Sequence, residues 1–144
     1  IADFGLSIRD MWKMNRYLFC DRDKMPDAPR EVLEIRTAPQ WRLIAKHAKM
    51  DSYTEEDGSA SATLSDGEEM PMARELVYAA IGMRLVRGEF LFPNVSVRTD
   101  EGQRFEGCRM RVGPHDKEHG LGLFYSERKH GSIDSGIVGR KRLY

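Results

Sequence analysis

The sequence predicts an α+β fold: a helical N-terminal half of three short helices, one central helix, then a glycine-rich antiparallel β-meander. Three observations carry this. Up to Arg87, apolar residues recur every three or four positions, as on one face of a helix. From Glu89 they alternate, as on one face of a strand. Seven glycines then punctuate residues 107–139, where the chain is expected to reverse.

The first helix is expected to start at Ser7, an N-cap with Asp10 three residues on, and to bury Ile8, Met11, Trp12, Leu18 and Phe19. Pro26 and Pro29 end it after Asp23. Pro29 suits the first turn of a second, short helix with Val32, Leu33 and Ile35 as its apolar positions. A third helix is expected from Thr37, with Pro39 in its first turn and Trp41, Ile44 and Ala48 on one face. Lys46, His47 and Lys49 would oppose its dipole. The central helix is expected over Glu68–Arg87, capped by Asp66 and closed by Gly88. Residues 94–112 read as a hairpin turning at Thr99–Gly102, Leu121, Leu123 and Tyr125 as a third strand, and 133–138 as a short fourth.

The chain has 144 residues, with 23 basic side chains against 23 acidic ones, so no global field draws it to nucleic acid or to an anionic membrane. The charges nevertheless fall in blocks. Residues 1–50 hold ten Lys/Arg against seven Asp/Glu, residues 51–69 hold seven acids and no base, and residues 70–144 hold 13 bases against nine acids. The chain accordingly divides into a helical segment over 1–50 with an extended N-terminal arm, an acidic flexible linker or loop over 51–67, and a helix plus sheet over 68–144 packed with 1–50 as one unit. Cys20 and Cys108 are too few for a disulfide framework, and they read as free thiols in a reducing intracellular or organellar compartment. No apolar run reaches the roughly 18 residues of a membrane span. The chain does not begin with Met, which is the expectation for a processed or truncated N-terminus.

Several stretches resemble known sites. Asp3-Phe4-Gly5 resembles the magnesium-binding stretch of protein kinases, and Ala28-Pro29-Arg30-Glu31 echoes the Ala-Pro-Glu that closes their activation segment. No glycine-rich loop, strand lysine or His-Arg-Asp accompanies them. The opening stretch therefore reads as a docking arm anchored by Phe4 and Leu6, with Asp3 a polar residue ahead of the Ser7 cap. His115-Asp116-Lys117-Glu118-His119 matches His-x-x-Glu-His, the zinc pattern of inverted zinc proteases. A helix would put His115 and His119 on one face with Glu118 as general base, and Glu127 or His130 could add a third ligand. Cys20-Asp21-Arg22-Asp23 resembles the bilin attachment stretch of phycobiliproteins, which implies a thioether-linked pigment at Cys20 held by Arg22 and Asp23. Gly120-Leu121-Gly122-Leu123-Phe124 resembles a turn of SET-domain methyltransferases, without the asparagine-histidine stretch that completes their cofactor site.

The most extended resemblance is to the MORN repeat, over about 105–131. It is carried by Phe105-Glu106-Gly107, Gly113, His119-Gly120-Leu121-Gly122, Phe124 and His130-Gly131. It implies a small hairpin sheet used for interaction. The basic end Arg140-Lys141-Arg142 suits a phosphate backbone. The functional expectation is a non-catalytic structural or accessory subunit, without a cofactor, that contacts other protein subunits of an assembly through Phe4, Leu6, Arg140, Lys141 and Arg142. The alternatives are a small zinc-dependent hydrolase built on His115, Glu118 and His119, and an RNA-associated subunit using the basic end.

Overall fold

The chain's order of elements is set by where apolar side chains can be buried together. A computed structural model describes residues 2–25, 27–51, 64–99, 108–127, 135–137 and 140–142. Strand β1 (Ala2–Asp3) leads into helix α1 (Ile8–Asn15), a 3-10 turn over Arg16–Leu18 and helix α2 (Arg30–Glu34). Strands β2 (Gln40–Ile44) and β3 (Lys49–Asp51) precede the long helix α3 (Ala73–Arg87). Strands β4 (Val97–Arg98), β5 (Cys108–Asp116), β6 (Gly120–Glu127), β7 (Ser135–Ile137) and β8 (Arg140–Arg142) follow. The fold is α+β, with two small sheets ordered β1-β2-β8 and β3-β7-β4-β5-β6. Among the described residues every strand pairing is antiparallel except the single β4–β7 contact, and an isolated bridge joins Phe19 to Leu121 in parallel.

Helix α1 starts as its sequence dictates. The Ser7 hydroxyl accepts from the Asp10 N–H at 3.1 Å, and the Asp10 carboxylate accepts from the Ser7 N–H at 3.1 Å, which closes a capping box. Ile8 and Met11 then enter one core with Val32 and Leu33 of α2, Leu76 and Val77 of α3, and Val97, Met110 and Val112 of the larger sheet. The N-terminal segment and the helix-plus-sheet part share this core. No helix of the described residues is long and apolar enough to cross a membrane.

Four elements depart from the sequence reading. Helix α1 ends at Asn15 rather than near Asp23, with Leu18 in a 3-10 turn and Phe19 extended after it. The third helix expected from Thr37 is strand β2 instead, because its inward residue is a charge. Arg42 is buried while Trp41 and Leu43 on either side are exposed, so the true period is two. The central helix begins at Ala73, not Glu68. Glu69 instead exchanges both backbone hydrogen bonds with Arg140, and the Glu75 carboxylate accepts from the Met72 N–H at 2.9 Å at the helix start. The basic end, read as a free contact surface, is strand β8 laid against β2. The central helix does end at Gly88, in the left-handed conformation at φ +70°. Residues 52–63 of the acidic strip, 100–102 of the expected turn, and 105–107 and 128–131 of the MORN-like stretch lie outside the described residues.

Candidate functional site

The Asp-Phe-Gly corner is a structural clasp. Asp3 is buried, and its carboxylate receives both Nη groups of the equally buried Arg74, at 2.8 and 2.6 Å. A bidentate, fully dehydrated pair of this kind is among the strongest and most geometry-demanding contacts available. The Asp3 carboxylate also accepts from the Gly5 N–H at 2.8 Å, and Arg74 Nη1 reaches the Leu6 carbonyl at 3.3 Å. Burial alone would push the Asp3 carboxyl up. The Arg74 guanidinium and the Gly5 N–H together outweigh it and hold the group below the usual carboxylate range. Phe4 is left outside at 67% exposure, with its ring centroid 6.5 Å from that of Tyr78, one turn beyond Arg74 on α3. The chain start therefore runs along one stripe of α3.

A second ionic cluster begins at the next residue of α3. Glu75 faces Arg42 of β2 at 3.2 Å and is bonded by Nη1 of Arg140 from β8. Arg140 also reaches Glu69 at 3.0 Å, and Arg42 Nη2 donates to Gln40 at 2.7 Å. Burial would push Arg140 down, but the Glu75 and Glu69 carboxylates hold it above its ordinary value. Arg140 is thus committed to the interior, whereas Lys141 is exposed and Arg142 stands opposite Arg42 in the β2–β8 register. Of the residues proposed for partner contact, Phe4 and Lys141 are exposed, Leu6 is half-buried against the core, and Arg140 is occupied.

Beyond the clasp the stripe on α3 opens into a groove. Leu6, Met11 and Asn15 form one wall and Tyr78, Ile81, Gly82 and Leu85 the other, around a cavity of about 180 Å³. Leu85, one of its lining residues, is 54% exposed, and Met14 on α1 and Val86 on α3 are exposed apolar residues as well.

The His-x-x-Glu-His stretch does not form the helix that its zinc chemistry needs. His115 and Asp116 end β5, residues 117–119 are a turn, and Gly120 opens β6. Gly113 and the bulge after Val112 turn His115 inward, whereas Glu118 and His119 stay exposed. The His119 ring sits beside Asp116 at 3.2 Å. The His115 and Phe90 rings pack T-shaped with centroids 5.1 Å apart, and Arg84 lies over the Phe90 ring at 4.5 Å. The two histidines are not brought together, and no group of three His, Cys, Asp or Glu converges among the described residues. Glu127 is in β6, and His130 lies outside the described residues. Cys20 is an exposed free thiol whose N–H donates to the Leu121 carbonyl at 3.0 Å.

No family model matches the chain, and neither does a curated protein or a solved structure.

The burial of His115 has a pH consequence. Dehydration first, and the Arg84 charge second, push its imidazole below the ordinary value of 6.5; Asp116 opposes this. A base whose folded value is depressed takes its proton more readily in the unfolded chain. Its penalty is therefore zero above pH 6.5 and grows as pH falls below it. The urea midpoint of the wild type should drop between pH 7.5 and 5.5, and that of His115→Phe should drop less. Equal pH slopes in the two proteins would refute this.

The sequence reading missed Arg42, Arg74 and Glu75. One signal was present: Arg74-Glu75 opens a run, Leu76–Met83, that carries no charge at all. Two charges at the head of an apolar helix are expensive unless each has a partner.

Proposed function

We propose that the chain is a non-catalytic subunit that binds another protein by taking the apolar face of an amphipathic helix into the groove between α1 and α3. One observation carries this reading: the groove is lined almost entirely by apolar residues and stays open, with its Leu85 54% exposed. Its cavity of about 180 Å³ lies below the roughly 300–1,000 Å³ typical of small-molecule pockets, so inserted side chains suit it better than a metabolite. A groove between two helices is a recurring seat for a third. A Cβ at Gly82 would meet nothing within 4 Å, so the groove floor stays low where a partner would lie closest.

Exposed apolar surface of this kind associates when its partner is missing. The purified wild type is expected to run as an oligomer or soluble aggregate in light scattering and to bind a hydrophobic dye. Gly82→Glu combined with Leu85→Glu should give a dye-silent monomer with unchanged circular dichroism. A wild type that is already a dye-silent monomer with a sharp unfolding transition would overturn the reading.

A further inference from the structure

The segment that follows α3 is unusual in its backbone and in what holds it. Phe92 has φ +57°, a left-handed conformation that bulky side chains seldom take. Such a conformation persists only where its surroundings impose it. Leu91 and Phe92 are both buried, and the Phe92 carbonyl accepts from the His115 N–H at 3.1 Å. The Phe90 ring contacts both the His115 ring and the Arg84 guanidinium. Arg84 Nη1 also donates to the Gly88 carbonyl at 2.9 Å, so one side chain closes the helix and holds the segment.

His115 is the fastening on the sheet side, and it is ill prepared for a charge. It is 1% exposed, and its Nδ1 has no hydrogen-bond partner among the described residues. A second proton would place a positive charge and an unpaired donor in a dehydrated site. The charges around it do not offset this. Arg84, from α3, is a like charge. Asp116, next along β5, is engaged by the Glu118 and His119 N–H groups at 2.9 and 2.7 Å and by the His119 ring. Glu89, in the segment itself, is engaged by Lys46 and Arg87. Gly120 and Leu121 of β6, and Phe19 bridged to Leu121, bring no charge.

We infer that residues 88–93 form a latch that acid opens, releasing Leu91 and Phe92 from the core while the rest of the chain stays folded. The closed form is fully favoured above pH 6.5, the ordinary imidazole value, and loses ground as pH falls below it. The open form would offer two apolar side chains to a partner only in acid.

The test is native-state hydrogen exchange of the full chain, read at the His115 N–H, the donor to Phe92. With the intrinsic pH dependence divided out, its opening equilibrium should rise between pH 7.5 and 5.5 by up to about 10-fold, the most that one imidazole of ordinary value 6.5 can supply over that range. The exchange should hardly depend on urea at low urea, the mark of a local opening. The same amide in His115→Phe should show no rise. In Arg84→Gln, which keeps a donor for the Gly88 carbonyl but removes the charge, the rise should be smaller. An opening equilibrium that stays flat over this range in the wild type, or that still rises in His115→Phe, would overturn the inference. So would a rise in Arg84→Gln equal to that of the wild type, or exchange at His115 that grows with urea as steeply as unfolding of the whole chain.

Discussion

Replacing Glu75 with alanine is expected to destabilise the protein by about 3–5 kcal/mol, the cost of removing one partner from a buried ionic group. The size follows from what is stranded. Arg42 and Arg140 are 7% and 8% exposed, and Glu75 is the buried carboxylate that both face; Arg140 keeps only the half-exposed Glu69 once it is gone. The Met72 N–H at the start of α3 loses its acceptor as well. A domain stable by about 5–15 kcal/mol has little room for such a loss. The internal control is Glu34→Ala, which removes the exposed contacts to Arg9 and Arg30 and should cost no more than about 1 kcal/mol. Urea denaturation of both variants decides the matter: equal midpoints would mean that the buried cluster contributes nothing special.

Gly5→Ala is the second large effect, and it acts through the backbone. Gly5 has φ +78°, which costs a residue with a Cβ about 1–2 kcal/mol. The added carbon would also lie 1.8 Å from the Thr37 carbonyl oxygen, a distance that only backbone movement can relieve. Overpacking of this kind costs about 1–3 kcal/mol more. The movement would fall on the Asp3–Arg74 clasp, since the Gly5 N–H bonds Asp3 and the Gly5 carbonyl accepts from Thr37. Gly82→Ala offers a contrast of opposite sign. It lies in mid-helix with open space around it, and the exchange should stabilise by about 0.5–1 kcal/mol. Thermal melts of the two variants should move in opposite directions. A Gly5→Ala protein that melts within a degree of wild type would contradict the clasp.

The two glycines mark what could be read from sequence and what could not. Local signals were legible. The Ser7 capping box, the short helix at Pro29, the Gly88 cap and the alternation that becomes β5 and β6 all depend on neighbours a few residues away. The failures share one cause, namely a charge buried by a distant partner. Arg42 looked like a solvent residue between two apolar ones, and that inverted the face of β2 and suggested a helix. Arg140 looked like part of a solvated tail, but Glu69 and Glu75 draw it inside. Asp3 looked like a polar residue ahead of the Ser7 cap, and its meaning depends on Arg74, 71 positions away. Hydrophobic periodicity assumes that what is buried is apolar, and it fails where ion pairs supply the inward face. At the candidate groove the reverse held. Leu6 was legible as an apolar residue, but the cavity it lines arises from how α1 crosses α3, which no local pattern encodes.

The small β1-β2-β8 sheet also sets an order of events. Its ion pairs to α3 span 33, 65 and 71 residues (Arg42–Glu75, Arg140–Glu75 and Asp3–Arg74), so each closes a long loop before it returns any stabilisation. The local pieces, α1 with its cap, α3 and the β5–β6 hairpin, can form and collapse on one another without it. In an intermediate of that kind Arg74 and Glu75 would still be wet, and the helix they open would be frayed at its start. The sheet is then expected to lock last and to release first, so Glu75→Ala should speed unfolding while leaving the folding rate unchanged.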